Sequence, residues 1–123
     1  MDIVREDCLR ILKTVDCSAL RGKRVLVTGA SGLIGSYLVA AIHYANETQR
    51  LKCVVTCVSL HGPSPIVQRC APNKYITFKK VDLSKPFRIT VRYDYIFHAG
   101  GYGQPAKFVN DPLSTVRVNV DAT

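Results

Sequence analysis

Three glycines spaced three residues apart, Gly29, Gly32 and Gly35, are the residues whose type and spacing most directly predict chemistry. They follow an apolar run ending at Thr28 and precede a segment with the apolar periodicity of a helix. Such glycines allow a tight turn, close approach of a ligand to backbone N–H groups, and close packing of a helix on a sheet. A helix N-terminus also attracts anions. The stretch therefore predicts a turn that binds the diphosphate of a dinucleotide, and a glycine-rich turn that binds nothing is the alternative.

The elements that must position this turn are predicted from hydrophobic patterns. Short runs rich in β-branched and apolar residues predict four strands, at about 24–28, 51–60, 75–81 and 93–100. A helical pattern follows the first strand over about 33–46, and one helical turn fits 66–70. This alternation indicates a Rossmann-like three-layer α/β fold with a partial parallel sheet of about four strands.

An additional amphipathic helix is predicted at the start of the chain, over residues 2–16. Its apolar side chains fall on one stripe, formed by Val4, Cys8, Ile11, Leu12 and Val15. The helix either covers a sheet edge or helix surface of its own domain or pairs with another subunit, and the sequence leaves both open. We expect residues 1–22 to form this helix and its connection, and residues 23–123 to form the dinucleotide-binding domain.

Size and composition restrict the class of protein. The chain has 123 residues, enough for one domain, and no apolar run approaches the ~20 residues of a membrane span. Acidic residues near the N-terminus argue against a signal peptide, so a cytoplasmic location is expected. The five cysteines are odd in number and include no C-x-x-C pair, which argues against metal ligation and a disulfide framework. Cys53 and Cys57 are expected to be small buried side chains on one face of a strand.

The formal net charge of +8 lies mainly in the second half of the chain. Residues 51–123 contain ten Lys and Arg against four Asp and Glu. A basic patch attracts nucleic acid or another anionic partner. The basic residues here lack interleaved aromatics and any recognised nucleic-acid motif, so a solvated face is favoured and no nucleic-acid partner is expected.

The pattern T-G-x-x-G-x-x-G at Thr28–Gly35 resembles the short-chain dehydrogenase/reductase superfamily, and within it the extended branch of NAD-dependent nucleotide-sugar epimerases and dehydratases. Further along, Asp82-Leu83 resembles the family's adenine clamp, the segment from Asp94 to Gly100 its fourth strand, and the segment from Asn119 its N-V-x-G-T motif. The resemblance covers residues 24–123 and implies NAD as cofactor. The cofactor contacts that it implies are Gly29, Ser31, Gly32, Leu33, Ile34, Gly35, Asp82, Leu83, Ala99, Gly100, Gly101 and Asn119.

The sequence departs from the family pattern at the end of the second strand. The family usually has an acidic residue there, which binds the adenosine ribose, but the sequence reads Val58-Ser59-Leu60-His61-Gly62. NADP is therefore not excluded. Ser59, His61 and Arg69 are candidates for contacts to the ribose or a phosphate, although ordinary loop positions are favoured.

Candidate substrate contacts follow the fourth strand. In the relatives, the loop containing Tyr102 and Gln104 lies beside the nicotinamide and the sugar, so the resemblance implies substrate contacts at these two residues. His98 is expected to be a hydrogen-bonding core residue rather than a catalyst. Asp111 and Pro112 predict the start of a last helix, whose buried side is expected to contain Leu113, Val116 and Val120.

The family's catalytic Tyr-x-x-x-Lys helix has no counterpart in this sequence. Tyr75 and Lys79 match the letters, but they fall on the third predicted strand and are rejected. No catalytic residue is therefore assigned, and the chain alone is expected to be inactive. No metal site is predicted.

Three functions remain open. The favoured one is the NAD(P)-binding portion of a nucleotide-sugar epimerase, dehydratase or decarboxylase that acts through a transient 4-keto sugar. The alternatives are a non-catalytic dinucleotide-binding or protein-interaction module and, less favoured, a basic nucleic-acid-associated domain. An uncovered sheet edge after the fourth strand predicts a homo-oligomer.

Overall fold

The protein is an α/β structure built on one parallel sheet. The computed structural model describes residues 2–101 and 109–123. Four strands, β1 (Arg24–Thr28), β2 (Val54–Ser59), β3 (Ile76–Lys80) and β4 (Tyr95–His98), lie in the order β3-β2-β1-β4. Each neighbouring pair is parallel, so all four carboxyl ends meet at one edge of the sheet. The predicted Rossmann-like fold class is confirmed.

Helices lie on both faces of this sheet. The helices are α1 (Ile3–Leu12), α2 (Leu33–Gln49), α3 (Pro65–Cys70) and α4 (Pro112–Val116), with a 3₁₀ turn at Ser18–Leu20 and a π-helical segment at Arg117–Asp121. β1 has its predicted bounds, whereas β2 begins three residues later than predicted. Arg50 (φ 52°) and Lys52 (φ 54°) explain this delay, because left-handed backbone does not continue a strand ladder.

The main core lies between the sheet and α2. Val27 and Val55 from the sheet, Val39 from α2 and Cys8 from α1 are fully buried together. α1 therefore packs on a helix of its own domain, and the Tyr37 hydroxyl donates a hydrogen bond to Asp7 across the two helices (3.3 Å).

The predicted length of the first helix is wrong at its carboxyl end. α1 ends at Leu12, and the Thr14 N–H turns back to the carbonyl of Ile11 (2.9 Å). Val15 lies beyond the helix and is 49% exposed, and Ile11, although still in the helix, is 43% exposed, so the predicted stripe is buried only in part.

A smaller apolar cluster covers the other face of the sheet. Leu26, Val58, Leu83 and Val118 are buried against one another. The predicted buried side of the last helix is wrong, because Leu113, Val116 and Val120 are 69%, 53% and 64% exposed. The buried residue of this part of the chain is instead Val118, which lies in the π-helical segment, where the wider turn departs from the 3.6-residue register assumed for Val120.

β4 is an edge strand with a thin cover. Tyr95 and Ile96 are 41% and 54% exposed, and His98 is exposed as well. The expectation that His98 lies in the core is therefore wrong, because this end of β4 has no layer packed over it in the described residues. The described part of the chain contains no helix that is both long and apolar enough to cross a membrane.

The cysteines follow the prediction of burial. Cys53 and Cys57 have no exposed surface, and all five cysteines are free thiols. Burial raises the pKa of the Cys53 thiol to about 11 and that of Cys57 to about 12, so both are neutral at physiological pH.

We predict that Leu51→Ala lowers the free energy of unfolding by about 2–5 kcal/mol, because Leu51 is fully buried and its truncation leaves a cavity. The matched control is Leu113→Ala, which should change that free energy by less than about 0.5 kcal/mol because Leu113 is 69% exposed. Urea unfolding followed by circular dichroism measures both. Equal losses in the two variants would contradict the burial described for them.

Candidate functional site

The turn between β1 and α2 is pressed against the exit of β4. Gly29 has φ +65°, and a Cβ on it would overlap the carbonyl of Ala99 and lie 2.6 Å from the Gly100 nitrogen. Only glycine satisfies both the left-handed backbone and this close approach. The turn and the segment after β4 thus form one continuous backbone surface.

Gly35 and Gly32 meet different surroundings. A Cβ on Gly35 would overlap the carbonyl of Gly29 and lie 3.0 Å from the Cα of Ala30, so α2 begins directly on the turn. A Cβ on Gly32 would have its nearest neighbour at 3.4 Å, an ordinary contact. The fold therefore requires glycine at position 35, whereas at position 32 the missing side chain opens space in front of the helix.

The N-terminus of α2 has the backbone geometry that suits a bound anion. Gly32 is the N-cap residue with extended backbone (φ −73°, ψ 172°) and supplies no side-chain cap. The helix ladder begins with the Ser36 N–H bonded to the Gly32 carbonyl (2.9 Å), so the preceding helical N–H groups have no acceptor within the helix. The 17-residue helix adds the positive end of its dipole. This cradle fits a diphosphate.

Two serines hold the loop after β2 against the turn. The Ser31 hydroxyl donates to the carbonyl of Gly62 (2.7 Å). The buried Ser36 hydroxyl donates to the carbonyl of Ala30 (3.0 Å) and is hydrogen-bonded to Ser64, the N-cap of α3 (2.8 Å). The cradle is therefore braced on its β2 side by hydrogen bonds as well as by packing.

Thr28 braces the cradle by hydrogen bonds on its β4 side. Its buried hydroxyl is hydrogen-bonded to Nδ1 of His98 (2.6 Å) and accepts from the Gly100 N–H (3.3 Å). Sequence reasoning did not single out Thr28 as a positioning residue. The available signal was a hydroxyl at the end of an otherwise apolar buried strand.

A cleft of about 430 Å³ opens at the carboxyl ends of the strands. Eight residues predicted to contact the cofactor line it: Gly29, Ser31, Gly32, Asp82, Leu83, Ala99, Gly100 and Gly101. Such a crevice is where open α/β sheets bind ligands.

Four other predicted cofactor residues do not line the cleft. The side chains of Leu33 and Ile34 are 74% and 71% exposed and line a separate groove between α1 and α2, so any contact from these residues is limited to their backbone. Gly35 is buried under the turn. Asn119 lies against the cleft rather than in it, since a Cβ on Gly101 would lie 2.7 Å from its Oδ1. Tyr102 and Gln104 lie outside the described residues.

The structure adds five residues to the lining. Ser59 and His61, for which loop positions were favoured, both line the cleft, and Leu60, Val81 and Val118 were missed. The first four lie at or just beyond the ends of β2 and β3, a position that the predicted strand ends already marked. Arg69, the other candidate, is instead paired with Asp2 near the start of α1 (3.2 Å).

The Asp82 side chain stabilises a turn by hydrogen bonds, and Asp82 also lines the cleft. Its Oδ1 accepts from the N–H (2.9 Å) and the hydroxyl (2.6 Å) of Ser84, and Lys85 lies 3.9 Å from its Oδ2. The Ser84 hydroxyl, followed by the Ser84 N–H, holds the pKa of this carboxyl below its ordinary value. Asp82 therefore stays ionised throughout the neutral range.

In the described parts of the chain, no cluster of three or more His, Cys, Asp or Glu side chains is arranged to hold a metal ion. The polar groups that line the cleft are backbone N–H groups, the hydroxyls of Ser31 and Ser59, the imidazole of His61 and the carboxylate of Asp82.

Comparison with known proteins identifies the family of the chain. The family model described as NAD dependent epimerase/dehydratase family matches residues 25–123. UDP-glucuronic acid decarboxylase 2 of Arabidopsis thaliana is 27% identical over 103 residues. That alignment covers 84% of this chain and 22% of the relative, so the chain spans about a fifth of the relative's length.

We predict that Gly35→Ala lowers the free energy of unfolding by about 3 kcal/mol or more, because its methyl group would overlap backbone atoms that cannot move independently. Gly32→Ala is the matched control and should cost about 1 kcal/mol or less, the usual penalty for alanine at an N-cap. Chemical denaturation measures both. If Gly35→Ala cost no more than Gly32→Ala, the described packing of α2 on the turn would be wrong.

We predict that the carboxyl of Asp82 titrates below the ordinary value of about 3.9 in the folded chain, and that Ser84→Ala raises its pKa toward that value. Because the folded-state pKa is the lower one, the stabilisation is present above the unfolded value and is lost as pH falls through the folded value. Carboxyl-carbon NMR titration of both chains measures this. Identical midpoints would contradict the role of Ser84.

Proposed function

Because the chain belongs to the NAD-dependent epimerase/dehydratase family, within the extended short-chain dehydrogenases/reductases, we propose that it is the NAD(P)-binding portion of a nucleotide-sugar oxidoreductase. The observation that carries the proposal is the open space at Gly32, in front of N–H groups of α2 that have no acceptor within the helix. A dinucleotide diphosphate supplies acceptors for those groups and a negative charge for the dipole.

Each part of the cleft receives a role in this proposal. Gly29, Gly32 and the first N–H groups of α2 hold the diphosphate. Asp82 accepts a hydrogen bond from the adenine amine through Oδ2, since Oδ1 is already bonded to Ser84. Leu83 is largely buried behind Gly100, and a Cβ on that glycine would overlap it, so the two define an apolar wall for the ligand.

The segment after β4 is proposed to carry the other half of the dinucleotide. Ala99, Gly100 and Gly101 have small or no side chains and line the cleft, which leaves room for a ribose against the backbone. Thr28 fixes this segment through Gly100, and Asn119 supports it at Gly101. When bound, the nicotinamide ring accepts and returns a hydride.

The reaction of the whole protein is proposed from the family and its relative. A sugar hydroxyl of a nucleotide sugar is oxidised to a 4-ketone, an epimerisation, dehydration or decarboxylation follows, and the hydride is returned. The decarboxylase relative supports this reaction class. Tyr102 and Gln104 remain the proposed substrate contacts, no catalytic residue is assigned to this chain, and a cytoplasmic location is proposed.

A non-catalytic binding or interaction module is the second candidate. The apolar groove between α1 and α2 favours it, because Ile11, Leu33 and Ile34 expose apolar surface there. The same surface and the edge of β4, which pairs with no second strand among the described residues, support the proposal that the protein forms a homo-oligomer.

We predict that the chain binds NADH or NADPH and that Gly32→Val weakens this binding by about a hundredfold or more. The valine side chain fills the space in front of the helix and separates the diphosphate from its N–H donors, the type of bond that contributes about 1.5–3 kcal/mol when charged. Fluorescence titration with each reduced dinucleotide measures the affinity.

Gly32→Ala serves as the graded control and should lose less affinity than Gly32→Val. Both variants should keep the wild-type circular dichroism spectrum, since extended backbone at position 32 accepts any residue. Equal affinity in wild type and Gly32→Val, or no affinity in the wild-type chain, would refute the proposed function.

A further inference from the structure

The end of β2 lacks the negative charge that selects against a phosphorylated ribose. In dinucleotide folds an acidic residue about 20 positions after the glycine turn binds the ribose 2′-hydroxyl, and a nearby cation accommodates a 2′-phosphate instead. Here the last residue of β2 is Ser59, and Leu60 and His61 follow it into the cleft lining. Hydroxyl and imidazole groups donate hydrogen bonds to a phosphate without repelling it.

Lys80 supplies a cation at the same place. It is the register partner of Ser59 in the β2–β3 ladder, and the next residue, Val81, lines the cleft. Its Cε lies 4.0 Å from the position of a Cβ on Gly62, so the side chain reaches the loop that carries His61. Lys80 is exposed and has no carboxylate within ion-pair distance among the described residues.

The charges in and around the cleft also favour a phosphate group at the end of β2. Among the described lining residues Asp82 is the one carboxylate, and Lys85 lies 3.9 Å from it. Lys80, which does not itself line the cleft, adds an unbalanced positive charge beside Gly62, next to the lining residue His61. A monoanionic or dianionic group placed there gains attraction that a hydroxyl does not.

We propose that the ribose subsite of this cleft accepts a 2′-phosphate held by Lys80, Ser59 and His61, so that the chain binds NADPH at least as tightly as NADH. This inference rests on the proposed function, because it assumes that the diphosphate lies at Gly32. It adds a choice between the phosphorylated and the unphosphorylated dinucleotide, which the family description leaves unspecified. It assigns the discrimination between NADPH and NADH to the end of β2.

The test is a titration of the folded 123-residue chain with NADH and NADPH in parallel. Lys80→Gln should weaken NADPH binding about fivefold, the upper end of what an exposed ion pair contributes, and should leave NADH binding unchanged. Lys79→Gln is the matched control: it removes the same charge one residue earlier, and adjacent strand residues point to opposite faces. It should change neither affinity by more than the measurement error.

Ser59→Asp provides a second, opposite variant. It places a carboxylate where the ribose hydroxyls are expected, so it should weaken NADPH by about tenfold or more through like-charge repulsion and leave NADH bound. Circular dichroism confirms that each variant is folded before it is titrated.

The outcomes separate this inference from the proposed function. NADPH affinity equal to or above that of NADH, lost selectively in Lys80→Gln, supports the inference. NADH bound more tightly than NADPH, beyond the measurement error, overturns it and leaves the proposed function standing. Equal losses in Lys80→Gln and Lys79→Gln overturn the role of Lys80. Binding of neither dinucleotide overturns both proposals.

Discussion

The contact between three backbone segments is the constraint on which the rest of the structure depends. The turn after β1 lies directly against both the first turn of α2 and the exit of β4, and no side-chain atom fits at Gly29 or Gly35. This packing brings helix N–H groups to the carboxyl edge of the sheet. The cradle proposed to bind an anion is therefore a consequence of how the helix packs on the sheet.

Hydrogen bonds of hydroxyl groups hold these packed segments in fixed positions. Ser31 and Ser36 connect the turn to the loop after β2, and Thr28 connects it to the segment after β4. The Ser36 hydroxyl and the Ala30 carbonyl that accepts from it belong to buried residues, so removing this hydroxyl leaves an unsatisfied carbonyl there. The cleft between these loops is consequently bordered by short hydrogen bonds on two sides.

The sequence predicted those features that depend on local patterns. The strand at Arg24–Thr28, the helix after it, the capped start at Asp111 and the burial of Cys53 and Cys57 all follow from neighbours in the chain. The ends of α1 and β2 differ from the prediction through local backbone conformation. The burial errors concern packing between elements: the burial of Val118 and the exposure of His98 depend on which elements lie over them.

The candidate site likewise contains residues that the sequence identified and residues that only the structure revealed. The glycines of the turn were identified because their type and spacing have a recognised physical role, and Asp82 was identified because Asp82-Leu83 resembles the family's adenine clamp. Leu60, Val81 and Val118 have no chemical signature, and they line the cleft because the sheet brings their strand ends or helix to it. Such residues are found only after the strand order β3-β2-β1-β4 is known.

The placement of β4 beside β1 has a consequence for how the molecule folds. β1 pairs with β2 30 residues later in the chain but with β4 70 residues later, so the second pairing closes a much longer loop. We expect β1, β2 and β3 to associate first and β4 to dock last, since distant contacts carry the larger entropic cost. The cleft is completed only at that final step, because Ala99 and Gly100 arrive with β4. A molecule bound between the glycine turn and these residues therefore holds β4, the last strand to join, against the rest of the sheet.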